Sequence, residues 1–444
     1  MRAMKDSGVE WIGEIPQDWE RTKLLNVLRS PISDGPHETP RLVNDGIPFI
    51  SVDSIGTDEN IDLTVCKKFI SEVDYLRYKV KANIECGDIL FTKAATIGKT
   101  AIVKDEIFMV WSPVAIIKAN YNIVFNKYIY YVLNCSQLIK HISLLGSYNT
   151  QINVGMRELE KALIPLPSKC EQQRIADYLD LKCSKIDSII EKQQAIIERL
   201  KEYKLSVITE AVTKGLNPDV EMKDSGVEWI DKVPKHWKIV KLDDIFDFLG
   251  GYAYNSDLYV SESLNQVVRI GNVKNGFLKL DASPVYINDE VAEETSKFKL
   301  SSGTILFTMT GTKGKRDYFY THLITDKDLM EKSLYINQRV GCLISKTDLN
   351  AGYFNYLLKD KSILDSIFVY ETGTANQGNL GIESIRRTKL QFPSREEQDT
   401  IVSYLDKKCL VIDSIIAKKQ SIISKLLEYK KSLIYEVVTG KKEV

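Results

Sequence analysis

Two short stretches hold most of the side chains that could grip a polyanion. "FTKAATIGKT" (Phe91 to Thr100) offers Lys93, Thr96, Lys99 and Thr100, and "FTMTGTKGKR" (Phe307 to Arg316) offers Thr312, Lys313, Lys315 and Arg316. Each follows an apolar run and carries glycine, which lets backbone approach a phosphate while Lys, Arg and Thr donate hydrogen bonds to it. The bland alternative is a solvated charged turn. "ISDGPHETP" (Ile32 to Pro40) could deliver His37 and Thr39 to base edges or phosphates, or could be a purely structural turn. "GGYAYNSDLY" (Gly250 to Tyr259) offers Tyr254 and Asn255, and asparagine can pair bidentately with adenine. Gln151 in "SYNTQIN" and Gln377 in "GTANQGN" sit in a matched pair of polar loops.

Catalytic groupings are absent from this inventory. His37 beside Glu38 lacks a third group to orient an acid–base pair. "GKT" at Gly98 to Thr100 would need glycine at position 93 to make a nucleotide-binding loop, and that position is Lys93. There is no D/N-P-P-Y/F methyltransferase motif, no cofactor-type glycine pattern and no nucleophile elbow. The seven cysteines include no C-x-x-C pair, and there are four histidines, so no metal site is expected and the thiols suit a reducing cytoplasm. Lys+Arg and Asp+Glu balance at 60 each, which neither supports nor excludes a nucleic-acid partner, because charge acts where it is placed. The opening "MRAMKDSGVE" lacks the apolar core of a secretory signal, and no run is apolar enough to span a bilayer.

The elements that must position these residues are written twice. "MKDSGVEWI" at Met4 to Ile12 returns letter for letter at Met222 to Ile230. "GDILFTKAATIGKT" parallels "GTILFTMTGTKGKR", and "QINVGMRELEKALIPLPS" parallels "QGNLGIESIRRTKLQFPS". Between such anchors the similarity collapses, so a framework is duplicated while its interior segments differ. Four of the five tryptophans, Trp11, Trp19, Trp229 and Trp237, lie in the repeated opening, where they read best as clamps onto their own domain. "IPFISV", "DILFTK" and "VAIIKA" read as strands. "NKYIYYVLNCSQLIKHI" (Asn126 to Ile142) and "GYFNYLLKDKSILDSI" (Gly352 to Ile367) read as amphipathic helices.

Each copy closes on a long run without glycine or proline. Leu179, Ile186, Gln193 and Leu200 recur at seven-residue spacing, as do Leu405, Ile412, Lys419 and Leu426. With two further rows beside them the apolar stripe is wide, and the two rods are expected to pack as an antiparallel coiled coil. Gln193 and Lys419 occupy equivalent core positions, where a polar residue could fix register or could simply lie at the stripe's edge. The expected architecture is a mixed α/β (α+β) chain with a pseudo-twofold repeat. Its expected divisions are a first recognition domain at 1–168, a helix at 169–214, a second domain at 215–394 and a C-terminal helix at 395–444.

This layout resembles the specificity subunit of type I restriction–modification systems. The likeness rests on "SGVEWIGEIPQDWE", "ISDGPHETP", "GIPFISV", and "IPLPSKCEQQRIADYLD" with its partner "LQFPSREEQDTIVSYLD". The resemblance implies that each variable domain reads one half of a split double-stranded DNA target. The coiled coil would set the gap and dock two modification (methyltransferase) subunits, with restriction subunits completing the assembly. S-adenosylmethionine, ATP and Mg would be bound by those partners, with no cofactor and no catalytic residue in this chain. A stand-alone DNA-modifying enzyme and a plain coiled-coil scaffold are the competing readings.

Overall fold

The computed structural model describes residues 2–56, 59–148, 152–374 and 376–444. The chain forms two compact units, residues 1–194 with 419–444 and residues 195–418. In the first unit the strands Ile89–Thr92 and Val114–Ile117 are buried along their whole length. Their sequences, ILFT and VAII, are almost uninterrupted apolar runs, as strands covered on both faces require. They form the centre of a four-stranded antiparallel sheet in the order Ser33–Asp34, Val114–Ile117, Ile89–Thr92, Thr100–Ile102. A second sheet runs Met109–Val110, Ile47–Ile50, Phe69–Ile70, Leu42–Val43, with only its first pair parallel.

The second unit repeats this plan strand for strand. Its first sheet runs Phe246–Gly250, Val340–Ser345, Ile305–Thr308, Thr321–Leu323, again antiparallel throughout. Its other sheet runs Ser333–Ile336, Asn265–Val268, Tyr286–Ile287, Tyr259–Val260, again with only the first pair parallel. Topology therefore survives where sequence similarity does not. Each helix expected from the amphipathic stretches is broken in two, into Asn126–Leu133 and Ser136–Leu144, and into Ala351–Leu357 and Lys361–Phe368. Asp360 causes the second break: its carboxylate accepts from the Ser362 and Ile363 amides and starts a new helix. At the first break the Asn134 side chain donates back to the Tyr130 carbonyl.

The repeated phrases earn their place by a shared set of contacts. Trp19 donates to Glu171 in the first unit, and Trp237 donates to Glu397 in the second. Those glutamates close capping boxes with Ser168 and Ser394 at the start of the long helices. Burial opposes ionisation of Glu171, but bonds from Arg2, Trp19 and Ser168 hold its carboxyl below the usual range. The next residue is a fully enclosed glutamine in both units. Gln172 donates to the Pro167 carbonyl and accepts from the Phe125 amide, and Gln398 does the same with Pro393 and Asn350. Trp11, Trp19 and Trp237 are buried, whereas Trp229 is half-buried.

The long helices span Lys169–Lys214 and Arg395–Val438. In the first unit Leu179, Cys183, Ile186 and Ile190 pack in one core with Leu433, Ile434 and the partly buried Leu426. Lys430 meets Asp187 at 2.7 Å and Lys419 donates to Gln193 at 2.9 Å, so residue numbers fall on one helix as they rise on the other. The pairing is antiparallel. In the second unit Val207, Ile208, Ala211 and Val212 share a core with Leu405 and Cys409, and Lys204 meets Asp413 at 2.7 Å. Ile412 is buried and Leu200 half-buried on the same seam. Alternate steps of four and three residues make this a two-row seam. The third row of the expected stripe is left out: Ile189, Ile196, Tyr203, Ile415, Ile422 and Tyr429 are all more than a third exposed.

Candidate nucleic-acid interface

In the first unit the strand Ser33–Asp34 delivers the Gly35-Pro36-His37 turn to the sheet. Gly35 runs so close to its neighbour that a Cβ there would lie 1.8 Å from the Val110 carbonyl oxygen, so only glycine fits. Gly251 holds the corresponding place in the second unit, where a Cβ would lie 2.1 Å from the Asn337 carbonyl oxygen. Behind the first turn, Lys93 meets Asp34 at 3.1 Å with both side chains 8% exposed. This corrects the reading of Lys93 as an outward phosphate ligand: its ammonium is spent neutralising a buried carboxylate. His37 lies 3.4 Å from the same carboxylate, with its ring 73% exposed. Thr39 and Thr96 are also exposed. Lys99 is half-buried and donates to the Val52 carbonyl at 3.3 Å. Thr100 is buried on the strand Thr100–Ile102, as is its neighbour Ala101 on the other face, so it faces no solvent, a second correction: the start of this strand is covered on both sides. Gln151 lies outside the described residues.

The corresponding loop of the second unit is knitted to a hairpin, Thr372–Thr374 with Gln377–Asn379. Lys313 donates to the Gly373 carbonyl at 2.8 Å, and Arg316 is paired with Asp365. The Thr312 amide donates to Asp317 at 2.8 Å, which with the Thr312 side chain draws the Asp317 carboxyl below its ordinary range. Glu371 ties the assembly together, accepting from the Gly314 amide at 3.1 Å and the Tyr318 hydroxyl at 2.7 Å. Burial, reinforced by Glu371, pushes the Tyr318 phenol up, so it stays a donor. Lys315 is exposed, and its ammonium enters no hydrogen bond or ion pair among the described residues. Ala95 and Arg316 hold φ values of 62° and 53°, uncommon for residues with a Cβ, so both loops are held in shape by their surroundings.

Tyr254 does not face outward as expected: it is 8% exposed and its hydroxyl donates to Thr295 at 3.2 Å, because its ring completes a small core with Val267 and Ile287. Tyr252 takes the outer position, 41% exposed, edge-on to Tyr254 at 5.0 Å and supported by Phe298 at 5.3 Å. Asn255 is exposed, with its side-chain oxygen occupied by the Asp257 amide at 3.1 Å. Gln377 is exposed on its hairpin, paired across to Thr374. The structure thus leaves His37, Thr39 and Thr96 exposed on the first unit, and Tyr252, Asn255, Lys313, Lys315, Arg316 and Gln377 exposed on the second. Glu371 and Asp365 escaped sequence reasoning, and the one signal for Glu371 was an acidic residue opening a polar loop. Among the described residues no cluster of three or more His, Cys, Asp or Glu is placed to hold a metal ion, and no helix is long and apolar enough to cross a membrane.

These unlike loops on like sheets agree with the comparisons. Relatives of this chain include a putative type I restriction enzyme MjaX specificity subunit of Methanocaldococcus jannaschii. It is 27% identical over 337 residues, covering 70% of this chain and 76% of the relative. The EcoBI specificity subunit of Escherichia coli is 21% identical over 286 residues, covering 62% of this chain and 58% of that protein. A solved chain from a study of complex assembly and conformational transition in the type I R-M system superposes with a TM-score of 0.69. It is 13% identical and covers 96% of this chain and 98% of its own, a likeness of fold. The family model for the type I restriction modification DNA specificity domain matches twice, at residues 16–202 and 234–425, and the chain belongs to that family.

Proposed function

We propose that this chain supplies DNA sequence specificity to a type I restriction–modification complex, each unit reading one half of a bipartite target. One observation carries this: the two units share strand order and helix-start contacts, yet the turn at the matched Gly35 and Gly251 presents exposed His37 in one unit and exposed Tyr252 in the other. Behind that turn the units differ as well: the buried pair Lys93 and Asp34 of the first corresponds to Met309 and Gly250 of the second. A preserved frame with different contact residues suits a protein that reads two different sequences. His37, Thr39, Thr96, Lys99 and Gln151 are assigned to one half-site, and Tyr252, Asn255, Thr312, Lys315 and Gln377 to the other. Lys93 and Thr100 shape the first surface from behind, while the exposed Lys313 and Arg316, each held by a partner within its own unit, are assigned to the second half-site.

Chemistry belongs to partners in this reading. Modification subunits bring S-adenosylmethionine and methylate a flipped adenine. Restriction subunits bring ATP and Mg. The neutral net charge is accommodated because the partners share in gripping phosphates. The exposed rows Ile189, Ile422 and Tyr429 in the first unit, and Ile196, Tyr203 and Ile415 in the second, are assigned to docking two modification subunits. The assembly would work in the cytoplasm, where its DNA is.

The test is adenine-methylation mapping in cells producing this chain with its modification partner. A split motif is expected. His37→Ala should relax bases in one half only, and Lys315→Ala should weaken methylation at sites differing in the other half. An unsplit motif, or methyl transfer by the purified chain alone, overturns the proposal.

A further inference from the structure

The second unit contains a recess of about 750 Å³ beneath the last turns of its first long helix. Its walls include Thr209, Ala211, Trp229, Ile363 and Gln391, with Asp360 at one side. The first unit shows what fills this place when the repeat is complete. Val212 and Val438 are equivalent, since their carbonyls accept from the matching tyrosines Tyr353 and Tyr128. Tyr435 therefore stands where Thr209 stands, and Val437 where Ala211 stands. The Tyr435 ring packs against the first unit's core, and its hydroxyl donates to the Ile12 carbonyl at 3.1 Å. Beside it Trp11 is buried, whereas its counterpart Trp229 is half-buried.

A second, independent observation concerns hydrogen bonding. Gln391 is 1% exposed, and its Nε2 donates to the Val212 carbonyl at 3.2 Å. That bond fixes the amide's orientation, because a flipped amide would set oxygen against oxygen. The other end, Oε1, has no partner among the described residues. A buried acceptor of this kind is costly to leave unfilled. The equivalent residue of the first unit is Pro165, which carries no side-chain acceptor. Asp360, 3% exposed, adds a carboxylate that already accepts from the Thr209 hydroxyl at 2.8 Å. Its counterpart in the first unit is Cys135. The repeat that lost its aromatic filler is the one that gained acceptors.

We infer that this recess is a ligand site for an aromatic ring bearing a hydrogen-bond donor, a phenol or aryl amine. Such a group arrives either as a free small molecule or as the side chain of a subunit bound in the assembly. The site is separate from the surfaces assigned to DNA, so its test can fail while that reading stands. Met222 lines the recess and serves as a reporter.

Tyramine is titrated into the full chain carrying methyl-labelled methionine. A saturable shift of the Met222 methyl is expected, with the other methionine signals unmoved. Thr209→Tyr restores the filler of the first unit, so it should abolish the shift and raise the unfolding midpoint. Gln391→Leu, which keeps the wall but removes the acceptor, should weaken tyramine at least tenfold. Repeating the titration on the chain assembled with its modification subunits separates the two sources. A surviving shift indicates a free ligand, and a Met222 signal already displaced before tyramine is added indicates a partner side chain. No shift in the chain alone, or undiminished binding in both variants, overturns the inference and leaves a recess that holds water only.

Discussion

The ammonium of Lys93 and the carboxylate of Asp34 lie 3.1 Å apart with side chains 8% exposed. Two charges withdrawn from water tolerate one another, but neither tolerates being left alone. Removing one partner of a buried pair typically costs ~3–5 kcal/mol, while replacing both by apolar groups can be close to neutral. Lys93→Met should therefore lower the unfolding free energy by about that amount, and Lys93→Met with Asp34→Leu should recover most of it. Urea unfolding of the two variants checks this. An unchanged midpoint in Lys93→Met, accompanied by weaker DNA binding, would return Lys93 to the outward role its sequence context suggests. The residue types of both loops were legible in the sequence, since glycine and cations after an apolar strand announce a polar turn. Which cations stay outward was not legible. Lys93, Lys313 and Arg316 are claimed by Asp34, the Gly373 carbonyl and Asp365, partners distant in the chain that only the fold brings near. Of these only Lys93 is buried; Lys313 and Arg316 stay exposed beside their partners, and Lys315, in the same local context, is exposed with no such partner among the described residues.

The long helices show the same division at the next scale. Length, the absence of glycine and proline, and the seven-residue recurrence of Leu179, Ile186, Leu405 and Ile412 are all properties of the sequence. Three apolar rows were visible, however, and a single partner helix covers only two, so periodicity could not say which row stays out. The seam takes Cys183, Ile190 and Ile197 and leaves Ile189, Ile196 and Tyr203 exposed. Neighbouring residues thus make opposite predictions. Ile196→Glu places a charge at a site 37% exposed, where it can reach water, and should cost no more than ~1 kcal/mol. Ile197→Glu buries that charge in the seam and should cost several kcal/mol, on the order of the penalties for unpaired buried charges. If the outer row docks modification subunits, Ile196→Glu with Ile415→Glu should also weaken assembly. Thermal unfolding and co-purification measure the two effects separately. A strongly destabilised Ile196→Glu would place that row in the core instead.

At the scale of the whole chain, what the sequence preserves is what the two units use in common. The anchors map onto the tryptophan–glutamate contacts, the capping boxes and the enclosed Gln172 and Gln398, each with one solution used twice. The segments between anchors keep strand order without keeping residues, because a sheet covered on both faces asks only for side chains that pack and for backbone pairing. Both long helices run unbroken past the boundary between the units, at 194/195 in one and 418/419 in the other. An insertion at those two points leaves each unit's own pairs intact: Lys430 with Asp187 and Lys419 with Gln193 in the first, Lys204 with Asp413 in the second. One added turn contributes ~5.4 Å to each helix. At ~3.4 Å per base pair that is about one and a half steps of DNA. If the helices set the gap between half-sites, the paired insertion should lengthen the unread spacer by one or two base pairs while both half-site sequences stay unchanged. Methylation mapping reads both quantities at once. A constant spacer would separate the coiled coil from gap control, and altered half-sites would show that the insertion had disturbed the reading surfaces themselves.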